Sequence, residues 1–284
     1  MKINLKSILL VGATGVFVLS SCVKQKYSDK DAAVMYAKAE SAFNDIPSIS
    51  AQAQSGNMIF FKSDQVHVQY ADISKSDAFM PKSNCNVVIT IDTVGTIDTL
   101  IVDWGTSNCT CNDGKTRRGK IMTTWTGSYF DQGTIIKHIP IDYYVDDNKI
   151  EGEMVVENMG TNTSGQPFYN VNVNGTATMN TGAVINYTSE RVRTFTNGYT
   201  TPSFFLDDEY DITGTANADI VSGPSYIAET VTPLHIKIGC PHITKGILDF
   251  TKQGQPKWVL DFGDGTCDGK LTATQNGKSY SLGN

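Results

Sequence analysis

From residue 85 to the C-terminus, apolar residues recur at every second position, in short runs broken by Asn-Gly, Thr-Gly and Asp-Asp-Asn turn signals. Side chains alternate between two faces only on a strand, so this period constrains the fold more than any other feature. The runs cover 87–91, 97–104, 119–126, 134–145, 150–157, 168–179, 183–195, 210–219 and 226–238. Along 134–145 the inward set reads Ile136, His138, Pro140 and Asp142, and Asp146-Asp147-Asn148 turns the chain. Near the end, Asn276-Gly277 is a two-residue hairpin turn joining 271–274 to 279–282. About twelve strands with short connections and no intervening helix predict a mainly β chain. The expected architecture is an antiparallel meander forming a β-sandwich or a curved, partly open barrel, because open sheet edges invite aggregation.

The N-terminus is a targeting signal rather than part of the fold. Lys2 and Lys6 precede an apolar run from Ile8 to Leu19, which is shorter than the roughly 20 residues of a spanning helix. The run ends in Leu19-Ser20-Ser21-Cys22, a lipobox-like sequence whose cysteine thiol would accept diacylglycerol. More than one acyl chain, palmitate among them, anchors stably where one would not. This divides the chain into a signal peptide (1–21), a lipidated tether with a short helix (22–47), a mixed segment (48–84) and an antiparallel β domain (85–284). Ser28 is positioned to cap the helix, with Asp29 and Asp31 in its first turn and Met35, Ala39, Ala42 and Phe43 on one face. Pro47 is expected to end it.

Export places the remaining cysteines where disulfides are favoured over metal ligation. A repeat suggests the pairing. Cys85 precedes two strand-like runs, Asp103-Trp104-Gly105, Cys109 and Asp113-Gly114-Lys115. Cys240 precedes two runs, Asp261-Phe262-Gly263, Cys267 and Asp268-Gly269-Lys270. Cys240 would pair with Cys267, and Cys85 with Cys109 or Cys111. Counting from the Asp-aromatic-Gly triplet aligns Cys109 with Cys267 and leaves Cys111 as the odd thiol.

The region from 85 to 282 resembles uncharacterised outer-membrane lipoproteins of Bacteroidota-type bacteria. The matching stretches are 103–105, Cys109, 113–121, Asp142-Tyr143-Tyr144-Val145, Lys149-Ile150-Glu151-Gly152, 188–193, Gly239-Cys240-Pro241 and 261–268. Cys111 departs from the pattern. The resemblance implies an exported, outer-membrane lipoprotein, with periplasmic and cell-surface placement both open, and carries no activity with it. In that group, O-glycosylation at Asp-Ser/Thr-aliphatic sequences makes Thr93 and Thr99 candidate acceptors.

The remaining site readings weigh toward structure. Asp261, Asp264 and Asp268 are spaced closely enough to suggest calcium, but Asp and Gly also serve tight turns. Lys115, Arg117, Arg118 and Lys120 form a basic cluster whose simpler reading is a solvated strand face. Trp104, Trp125, Tyr129, Tyr143, Tyr144 and Trp258 fit core packing better than sugar stacking. His67, His138, His235 and His242 form no His-Glu-x-x-His pair, and neither a nucleophile elbow nor a phosphate loop is present. No cofactor or metal is expected. A net charge of −6 argues against a nucleic-acid partner. The expected function is non-enzymatic, a binding or structural role in the envelope. The membrane is reached through the lipid, and the candidate partner is an envelope protein, a glycan or an apolar ligand. Alternatives are a carrier or sensor of an apolar ligand and a glycan-binding module.

Overall fold

The computed structural model describes residues 27–55, 87–94, 96–111, 113–201 and 207–282. The signal segment, Cys22, His67, Cys85 and most of the 48–84 segment lie outside the described residues. Among the described residues a single helix, α1 (Asp29–Ser55), precedes fourteen strands. They are β1 (Val88–Asp92), β2 (Asp98–Asp103), β3 (Cys109–Thr110), β4 (Thr116–Trp125), β5 (Ile135–Val145), β6 (Asn148–Thr161) and β7 (Pro167–Thr178). They continue as β8 (Val184–Asn197), β9 (Glu209–Ile220), β10 (Ser225–Lys237), β11 (Lys245–Lys252), β12 (Trp258–Asp264), β13 (Thr272–Gln275) and β14 (Lys278–Ser281).

All fourteen belong to one antiparallel sheet in chain order from β1 to β14, with the short β3 pairing only with β4. The mainly β antiparallel meander with an N-terminal helix is as expected from sequence, and its single sheet is not closed into a barrel. The two cysteine-bearing turns fall toward its opposite edges. A long sheet cannot leave one face of alternating apolar residues in water, and here α1 supplies the cover. The helix packs on β2 and on β4 through β8, and one continuous core joins its Tyr36, Phe43, Ile46 and Ile49 to the inward residues of the sheet. Phe43 sits so close to the backbone of β7 that a Cβ at Gly175 would lie 2.4 Å from its ring. Among the described residues, no helix is long and apolar enough to cross a membrane.

The helix starts as its sequence predicts. Ser28 Oγ accepts the Asp31 N–H at 3.1 Å while Asp31 Oδ2 accepts the Ser28 N–H at 3.0 Å, a reciprocal cap. Its end differs from expectation. Pro47 lies inside α1, which runs on to Ser55. Proline removes one backbone hydrogen bond, but burial of Ile49 and Ala53 and the bonds of Ser50 hold the last two turns.

The alternation along β5 also differs. Ile136 and His138 point inward, but a register shift between His138 and Tyr143, with Asp142 at φ 45°, reverses the parity. Asp142 is therefore exposed, and Tyr143 and Val145 are buried. Opposite it, Gly119 is at φ 84°, where a Cβ would overlap the Asp142 carbonyl at 1.9 Å; only glycine fits.

Candidate functional site

The helix is fastened to the sheet by polar groups as much as by apolar ones. Glu40 is buried, and its Oε2 accepts hydrogen bonds from Tyr187 Oη at 2.7 Å and Arg191 Nη2 at 2.9 Å, with Tyr36 on the same oxygen. Burial alone would raise the Glu40 pKa. The Arg191 guanidinium and the two tyrosine hydroxyls outweigh it and hold the carboxyl below its ordinary range. Arg191 in turn donates to the Gly214 carbonyl and Thr230 Oγ1 from β9 and β10. Further along, Ser50 Oγ lies 2.8 Å from Thr123 Oγ1, and Thr123 lies 2.9 Å from His138 Nδ1. This trio resembles a nucleophile beside a base, but all three are sealed in the core. Burial, then Arg193, push His138 down to about 3, so it is neutral. It serves as a clip between α1 and the sheet.

The densest fastening lies at the first cysteine turn. Arg117 is fully buried; its Nη2 donates to Asp45 Oδ2 of α1 at 2.6 Å and to Asp113 Oδ2 at 2.7 Å. Its Nε reaches Tyr143 Oη at 3.3 Å. Lys115 Nζ adds a longer contact to Asp45 at 3.3 Å and donates to the Pro241 carbonyl at 2.9 Å. Burial raises the Asp45 pKa, but Lys115 and Arg117 more than reverse that and hold it ionised. The Lys115–Pro241 bond ties the first cysteine turn to the start of the second, bringing together regions 126 residues apart in the chain.

Where the helix meets these turns, an open cleft of about 360 Å³ remains. Its apolar lining includes Val145, Ile243, Phe262, Leu271 and Leu282, and its polar lining includes Lys38, Ser41, Lys115, Asp146, His242 and Lys270. The His242 ring lies against Gly269, where a Cβ would come within 3.0 Å of it. The volume and the mixed lining fall at the small end of ligand-binding clefts.

Cys240 and Cys267 form a disulfide. Cys109 is disulfide-bonded as well, and Cys111 is a free, buried thiol whose pKa burial raises; Cys85 lies outside the described residues. The basic cluster is not one solvated face: Lys120 is exposed, but the others are wholly or partly withdrawn from solvent. Arg117 is in the core, Lys115 is mostly buried, Arg118 stacks 3.7 Å over the Tyr144 ring and pairs with Asp147, and Lys120 pairs with Asp103. Trp104, Trp125, Tyr143 and Trp258 are buried packing residues. Asp261, Asp264 and Asp268 turn their Oδ1 atoms onto backbone N–H groups of Gly263, Thr266 and Lys270, as turn residues do. Thr93 and Thr99 are half-buried on the hairpin of β1 and β2. His235 meets Asp211 at 2.9 Å, away from the cleft lining.

Sequence reasoning missed Glu40, Asp45, Arg191 and the cleft, and it saw Arg117 only as a member of the basic cluster, not as a buried ion-pair partner. The strand arginines had a signal: Arg117 shares the parity of Ile121, Thr123 and Trp125, and Arg191 and Arg193 share that of Ile185, Tyr187 and Phe195. No protein-family model, curated protein or solved structure matches this chain.

Proposed function

We propose that this chain is a non-enzymatic cell-envelope protein, anchored in the outer membrane by acyl groups on Cys22, that binds a partner in the cleft between α1 and the cysteine turns. The anchoring reading is supported by the basic start, the apolar run and Leu19-Ser20-Ser21-Cys22, and by the resemblance to lipoproteins. Residues 23–28 separate that cysteine from α1, a span of at most about 20 Å when extended, so the body would sit close to the headgroups. The observation that carries the binding role is the cleft itself, which mixes an apolar floor with Lys38, Lys115 and His242. A non-enzymatic role is favoured because the Ser50, Thr123 and His138 trio is closed to any substrate.

The other readings fit the geometry less well. An enclosed apolar ligand would need the concave face that α1 occupies, and the tryptophans that would stack on sugars are buried. Two experiments test the proposal. Metabolic palmitate labelling should be lost in Cys22→Ala; retained label would overturn the anchor. A photo-crosslinking residue at Ser41, on the cleft wall, should give an envelope adduct in cells. The same residue at Ile227, exposed on β10, should not. Equal yields at the two positions would remove the binding role of the cleft.

A further inference from the structure

We infer that the cleft takes a small amphiphilic anion, a carboxylate or phosphate monoester carried on a compact apolar body. This rests on the binding role proposed above and names its ligand class.

Lys270 is engaged by Asp268 at 2.5 Å. Asp146 Oδ1 accepts the Thr116 N–H at 2.8 Å, and Asn148 donates to the Val145 and Asp146 carbonyls while its Oδ1 accepts the Asn180 N–H. Three lining groups keep donor capacity to spare. Lys38 is exposed and makes no ion pair among the described residues. Lys115 spends two of its three donors on Asp45 and Pro241, and its side chain is only 13% exposed. His242 makes no hydrogen bond from either ring nitrogen among the described residues. Burial, then the charge of Lys115, lowers its pKa, so it is a neutral imidazole that can still offer one N–H.

All three can donate, and two are cations. The lining carries three ammonium groups against one carboxylate. Asp45 and Asp268 pair with two of the three; Lys38 has no ion-pair partner among the described residues, and the one lining carboxylate, Asp146, has its Oδ1 turned onto the Thr116 N–H. A cationic ligand would have to sit beside Lys38 and Lys115, whereas an anionic head accepts from both and from His242. The rest of the lining asks for an apolar body, since Ile243, Phe262 and Leu271 are buried residues whose edges meet the cleft. An anion without a body, or a body without a charge, would satisfy only half of these groups.

The test uses the full chain carrying Cys22→Ala, so that no detergent competes. Hexanoate, hexyl phosphate, 1-hexanol and acetate are titrated while the His242 ring signals, assigned with His242→Gln, are followed by NMR. Saturable shifts with hexanoate or hexyl phosphate, at least tenfold weaker with 1-hexanol and acetate, are expected. Whichever of the two anions binds more tightly identifies a carboxylate or a phosphate source. Lys38→Met should weaken that binding about tenfold with an unchanged melting temperature, because the exposed Lys38 makes no hydrogen bond or ion pair among the described residues. Equal binding of 1-hexanol, or an unchanged affinity in Lys38→Met, overturns the inference. Silence from all four compounds overturns the ligand class alone, because an adduct at Ser41 in cells would still uphold the binding role.

Discussion

The two cysteine turns follow the same local plan in different surroundings. Asp103 Oδ1 accepts the Gly105 N–H at 2.8 Å, and Asp261 Oδ1 accepts the Gly263 N–H at 2.9 Å. Asp113 and Lys115 repeat the arrangement of Asp268 and Lys270, each with an aspartate-to-N–H bond of 3.1 Å. Yet the Asp113 side chain is 1% exposed and held by Arg117, whereas Asp268 is 26% and Lys270 71% exposed. Cys109 is buried and Cys267 exposed. The hydrogen bonds of a turn follow from its own residues. Their importance to the fold follows from what packs over them, and of the two turns the first is the one ion-paired to the helix, through Arg117 and Asp45.

The largest effect should separate the turns by charge. Arg117→Met strands Asp45 and Asp113 in the core and should cost about 3–5 kcal/mol of folding stability in urea titration. Lys270→Met should leave the midpoint where it is, because its ion pair is in water. Equal shifts in the two variants would erase the distinction between the turns.

Next comes the covalent staple. The Cys240–Cys267 bridge spans a sequence separation of 27. In the loop-entropy model, replacing both cysteines by serine should cost about 3–4 kcal/mol. A loss below about 1 kcal/mol by calorimetry would mean that packing already fixes this turn. Cys111, by contrast, should react with a thiol reagent only after denaturation, since it is free but buried.

Acid sharpens the contrast further. The folded-state pKa of Asp45 is depressed, so its contribution is present above the unfolded value of about 3.9 and is lost as pH falls below it. Stability should therefore decline below about pH 4, by up to about 1.4 kcal/mol per pH unit for such a group. Asp45→Asn should be less stable at neutral pH and flatter below pH 4, while Asp268→Asn should keep most of the wild-type slope. An undiminished slope in Asp45→Asn would place the acid sensitivity elsewhere, with Glu40 the next group to replace.

The smallest effect concerns glycine. Gly114 and Gly269 both have positive φ, at 84° and 68°, so alanine should cost about 1 kcal/mol at either. Only Gly269→Ala should also displace the His242 ring, because nothing lies within 4 Å of a Cβ at Gly114. Unchanged His242 NMR signals in Gly269→Ala would show that the ring does not lean on this turn.

Much of the sheet was legible. Alternation in β8 and β9 and the Asn276-Gly277 turn between β13 and β14 report their own geometry, because period two and positive φ are local properties. The helix start was legible for the same reason, since Ser28 and Asp31 close their cap within one turn. Its end was not. Whether a helix survives Pro47 depends on Ile49 and Ser50 finding partners on the sheet, and those partners are more than seventy residues away. Nor was the parity reversal at Asp142, which needs the neighbouring strand to be in view.

The candidate site was less legible than the fold. Lys115 and Arg117 were visible as a basic cluster, and a charged run is most economically read as solvated. Strand parity already turned Arg117 toward Trp125, but a buried guanidinium is credible only with its carboxylates in place. Asp45 comes from a helix 72 residues earlier.

The sequence by itself determined a meander of strands, the reciprocal cap of α1 and the aspartate-led turns beside the cysteines, because each depends on neighbours a few residues apart. Tertiary structure decided that one sheet wraps one helix, that Glu40 and Asp45 meet Arg191 and Arg117 in the core, and that a cleft with Lys38, Lys115 and His242 remains at the junction. Burying a charge is tolerable only when its partner arrives with it, and such an arrival is a property of the assembled chain.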